Sequence, residues 1–146
     1  MIRNHDPRRY CRVRRHIRYI VNHACLGWGH YDHILQSCQV DFSKFRHLQN
    51  LDWCLLLLAR VLVHEATHGA ICSRNISPTS VDRLRVEHLC HAEETRFMRR
   101  VRPDLDLPDF NDGWHRELYG QGVWQRLVRS FKRFRQGDQP VTKILW

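Results

Sequence analysis

Apolar positions fall into separate blocks along the chain, each with its own period. In the first block Tyr10, Val13, Ile17, Ile20, Val21 and Ala24 recur three and four apart, the stripe of an amphipathic helix. Asp6-Pro7 supplies its start, with Asp as cap and proline at the first helical position, and Gly27 supplies its stop. A helix is therefore expected over 7–26, with Arg8, Arg12, Arg15 and Arg18 on its basic outer side. Past Gly27 and Gly29 the period shortens to two. Gln36, Cys38, Val40 and Phe42 alternate with Ser37, Gln39 and Asp41, which predicts one or two short strands within 30–45.

The third block is apolar nearly all round. It runs through Leu55–Leu58, Val61 and Leu62 and can be capped by Asn50 or Asp52, so it predicts a central buried helix over 52–72. Arg60 interrupts the run, which leaves it too short to read as a membrane span. Residues 73–78 read as a loop. Thr79 or Ser80 then starts a helix over 79–100, stopped by Pro103. The stretch 102–112, with Pro103 and Pro108 among acids, reads as a connection. Leu118, Trp124, Leu127, Val128, Phe131 and Phe134 stripe a last amphipathic helix over 114–135.

Composition narrows the class. With 146 residues and 42% apolar content the chain suits one α+β domain, helix-rich and with a short sheet. A net charge of +9 favours contact with nucleic acid or anionic surfaces, although no recognisable nucleic-acid motif accompanies it. Arginine far outnumbers lysine, a bias that base composition explains as well as function does. The six cysteines form no CxxC pair, and no apolar stretch follows the basic N-terminus. Reduced thiols and a cytoplasmic location are the expectation.

Within the apolar helix lies His64-Glu65-Ala66-Thr67-His68. Histidines four apart on a helix project from one face, so both imidazoles can reach one Zn²⁺. Glu65 leans over the same region, where a carboxylate can polarise a metal-bound water and take its proton. By composition such a pattern arises in roughly 0.03 of chains like this one, and its place on the most buried expected helix lowers that further.

The motif His64-Glu65-x-x-His68 resembles that of the zincin metallopeptidases. Ile71 and Arg74 stand where the metzincin branch has Gly and a third His, which excludes that branch. The gluzincin branch takes a Glu from the following helix. Glu87, after eighteen intervening residues and on the expected 79–100 helix, resembles that third ligand, at a gap similar to that of the zinc aminopeptidases. The resemblance covers about residues 50–100. It implies a minimal zincin-like domain, a Zn²⁺ held by His64, His68 and Glu87, Glu65 as general base, and a peptide or protein substrate. His91 and Glu94 share the face of Glu87 and remain alternatives as third ligand, or as groups holding a ligand imidazole by its other ring nitrogen. His115 and Tyr119 are the only candidates for the family's downstream oxyanion-stabilising residue. No exopeptidase motif of the aminopeptidase kind precedes the zinc helix. The segment Cys38–Phe42 precedes that helix as the substrate-aligning edge strand does in zincins. A non-catalytic zinc-binding module and a basic nucleic-acid-binding protein are the alternative readings.

Overall fold

Asp6 directs the start of the chain. Its carboxylate accepts a hydrogen bond from the Arg9 amide at 3.1 Å, and Pro7 takes the first helical position, so α2 (Pro7–His16) follows directly on the single turn α1 (Ile2–His5). A computed structural model describes residues 1–25, 27–46, 48, 50–74, 80–105 and 143–145.

The expected helix over 7–26 is corrected here. It ends at His16, Ile17 is extended (φ −116°, ψ 110°), and Tyr19–Asn22 form strand β1. Ile17, Ile20 and Val21 satisfy a helical stripe, but β-branched side chains fit a pleated strand better. Ile20 is then buried against Cys38, Val40 and Val61. The basic side is corrected too, because Arg12 turns inward. Its guanidinium reaches Glu93 at 2.7 Å and the Thr67 hydroxyl at 3.2 Å, while buried Arg9 pairs with Asp6 and Glu93.

Strands β2 (Gly29–Asp32) and β3 (Ser37–Val40) form a hairpin, and β4 (Lys143–Leu145) is added at the far side. Among the described residues the sheet order is β2-β3-β1-β4, with β1 and β3 parallel and the other pairs antiparallel. Asp32 closes the hairpin by accepting from the amides of Ile34 and Leu35 at 2.9 and 3.0 Å, and Gln36 takes a left-handed φ of 49°. The alternation holds at Cys38 and Val40, both fully buried. Phe42, however, leaves the strand for a 3₁₀ turn (Phe42–Phe45) capped by Asp41. The edge position expected of Cys38–Phe42 is not observed. The hairpin lays β2 outside β3, so β3 is internal and, among the described residues, β2 is an edge of the sheet.

Helix α3 (Leu51–Cys72) is capped by Asn50, whose side chain accepts from the Trp53 amide at 3.0 Å; α4 (Ser80–Val101) follows. Both lie within a residue of the expected spans. By length and a mean hydropathy of 1.4, α3 could also cross a membrane. In this fold it is the core helix. One side (Leu56, Ala59, Val63) packs with Ile2, Phe97 and Met98, and Val61 packs on the sheet. The α+β class follows. The expected helix over 114–135 lies outside the described residues. None of the six cysteines is in a disulfide.

Candidate metal centre

Helices α3 and α4 pack side by side, and their facing stripes carry the polar residues of the motif. His64 and His68 present their Nε2 atoms to each other at 3.2 Å, with ring centroids 5.0 Å apart. Glu87 of α4 faces both, its Oε2 lying 3.4 Å from His64 Nε2 and 3.6 Å from His68 Nε2. Those three separations can be set against a tetrahedral Zn²⁺ site. Bonds of about 2.0–2.1 Å give ligand-to-ligand edges of about 3.3–3.4 Å. The donor triangle therefore fits the ion, and its chemistry, two imidazoles and a carboxylate, fits it as well.

Glu94 and His91 occupy different positions. Glu94 Oε2 stands 3.0 Å from His64 Nδ1, on the far side of the ring from Glu87, and its other oxygen takes the Arg60 guanidinium. A hydrogen bond from Nδ1 to Glu94 leaves Nε2 with its lone pair facing Glu87 and His68, the tautomer a metal ligand needs. His91 sets its ring edge-on to His64, centroids 4.7 Å apart, and its Nδ1 lies 3.3 Å from Glu94. His64, Glu87 and His91 also bring ligand atoms within 4.8 Å of one another.

Glu65 is 5% exposed. Burial pushes its carboxyl upward, while the His64 and His68 imidazoles pull against that. Gly29 of the edge strand makes the close approach possible. A Cβ there would stand 2.5 Å from Val61 Cγ1 and 3.0 Å from Glu65 Oε1. Gly69 does the same directly after His68, where a Cβ would meet His16 and Tyr31 at 2.8 Å. Beside Glu65 a cavity of about 150 Å³ opens between Trp28, Leu57, Arg60 and Val61. Trp28, 40% exposed, forms part of its wall.

Opposite charges act on one another across the cluster. Burial lowers the His64 pKa, but Glu87 and Glu94 outweigh it and raise it to about 10. Burial likewise raises both carboxyls, and the facing imidazoles (with Arg60 for Glu94) bring them well below the usual range.

His64, Glu65, His68 and Glu87 are brought together as their spacing suggests. His115 and Tyr119 lie outside the described residues. Sequence reasoning missed Arg60, although its place four before His64 puts it on the motif's face, and it missed Cys90, three after Glu87. It also missed that β2 is an edge of the described sheet, which only strand pairing reveals. Compared with protein-family models, curated proteins and solved structures, the chain matches none.

Proposed function

We propose that the chain is a zinc-dependent peptidase of minimal, gluzincin-like form, with His64, His68 and Glu87 as the metal ligands and Glu65 as the general base. The observation that carries this reading is the donor triangle with edges of 3.2, 3.4 and 3.6 Å beside a buried carboxylate. Bound there, Zn²⁺ would supply Lewis acidity that brings the pKa of a coordinated water toward neutrality. Glu65 accepts a proton from the attacking water and returns it to the departing amine, a role that its upward-shifted carboxyl suits. Glu94 holds the His64 ring in one tautomer, and Arg60 keeps Glu94 charged. Strand β2, at the described sheet's edge and against Glu65, offers an extended peptide a backbone to pair with.

Glu65→Gln separates catalysis from metal holding. The variant should keep one zinc per chain and lose turnover of a library-selected peptide by about 10²–10⁴-fold. Undiminished turnover in that variant overturns the assignment. So does a zinc-loaded wild type inert across a broad peptide library, which would leave a non-catalytic zinc-binding module.

A further inference from the structure

The stripe that α4 turns toward α3 holds Glu87, Cys90, His91 and Glu94, and Cys90 has no part in the chemistry above. It is completely buried, at 0% exposure, so its thiol is closed to solvent reagents and can act only on what surrounds it. Its Sγ, a ring nitrogen of His64 and one of His68 all lie within 4.8 Å of one another. Cys90 and Glu87 are three positions apart, so both reach the same two imidazoles from one helix face.

We propose that Cys90 is a fourth protein donor to the His64–His68–Glu87 centre, able to close it with a thiolate. With a Zn–S bond of about 2.3 Å, a tetrahedral S-to-N edge is about 3.6 Å, so Sγ stands at most about 1.2 Å beyond that edge from a ring nitrogen of each imidazole. The step is a ligand exchange. The S–H bond would break, its proton passing to the hydroxide held by the metal, the sulfur would take that ligand position, and the hydroxide would leave as water. No electron is transferred and no oxidant is needed. Three protein ligands and water make an open, reactive site, whereas four protein ligands make a closed one. Cys90 therefore gives the centre a latent form, and its soft sulfur favours zinc or cadmium over magnesium or calcium. This rests on the metal reading above and not on peptidase activity.

Cobalt tests it. The full chain loaded with one Co²⁺ should show an intense near-ultraviolet sulfur-to-cobalt band beside its visible d–d bands. Cys90→Ser should lose the first and keep the second, and Cys72→Ser should keep both. Visible bands in the wild type without the ultraviolet band overturn the proposal and leave the metal reading standing, as does a band that survives in Cys90→Ser. A wild type that takes up no Co²⁺ overturns both. Should Cys90→Ser fail to fold, the ¹¹³Cd resonance of the cadmium-loaded wild type decides: a thiolate-shifted signal upholds Cys90, and a nitrogen/oxygen-only signal overturns it.

Discussion

Two charged clusters hang from α4. In one, Glu93 meets Arg9 at 3.2 Å, Arg12 at 2.7 Å and Arg96 at 2.6 Å. In the other, Glu87 meets His64 and His68 at 3.4 and 3.6 Å. Both carboxyls are held below their usual range by their partners, against the upward push of burial. The partners differ in what they can release. A guanidinium keeps its protons at any accessible pH, so the Glu93 cluster can only pin α2 to α4. An imidazole can exchange its proton for a metal, so the Glu87 cluster can change occupant. Geometry alone makes a carboxylate well paired; the proton chemistry of its partner makes it available.

The contrast can be broken most severely at His68. His68→Ala removes one of the two imidazoles that define the centre, and stoichiometric zinc should be lost in a chelator competition while far-ultraviolet dichroism is retained. A smaller effect is expected at Glu94, which touches His64 through Nδ1. Glu94→Gln should weaken zinc affinity by about 10–100-fold without abolishing it. Glu93→Gln should leave zinc affinity unchanged and lower stability by about 1–3 kcal/mol in urea unfolding, because buried Arg9 loses a charged partner. A zinc defect in Glu93→Gln would dissolve the distinction between the clusters.

The smallest effect concerns acid. Burial raises the Asp6 carboxyl, but the hydrogen bonds and charge of Arg9, with help from Arg100, bring it below its ordinary 3.8. A folded-state pKa below the unfolded one means that the unfolded chain binds the proton more tightly. Asp6 therefore stabilises the fold above about pH 4, and that contribution fades as the pH falls through its folded value. Asp6→Asn, which can still cap α2, should flatten this part of the stability profile. An unchanged acid limb would show that Asp6 does not contribute it.

The two helices that carry the candidate ligands were legible because their signals are local: Asn50 as a cap, a long apolar run, and histidines four apart. Strand β1 was not. Ile17, Ile20 and Val21 fit either period, and the deciding partner, β3, lies well downstream in sequence. The edge position was missed for the same reason, since strand order is a non-local property. At the site, helical spacing put Glu87, His91 and Glu94 on one face. Which carboxylate meets His64 Nε2 and which meets Nδ1 depends on how far α4 slides along α3, and periodicity carries no information about that offset.

The most direct test of the centre is metal content by elemental analysis on tag-free protein, wild type beside Glu87→Ala, Glu94→Ala and Glu93→Ala. The expected result is one zinc per chain in the wild type, lost with Glu87→Ala and retained at least in part by the other two. A wild type without zinc even after reconstitution, or zinc retained in full by Glu87→Ala, would contradict the assignment of His64, His68 and Glu87 as its ligands.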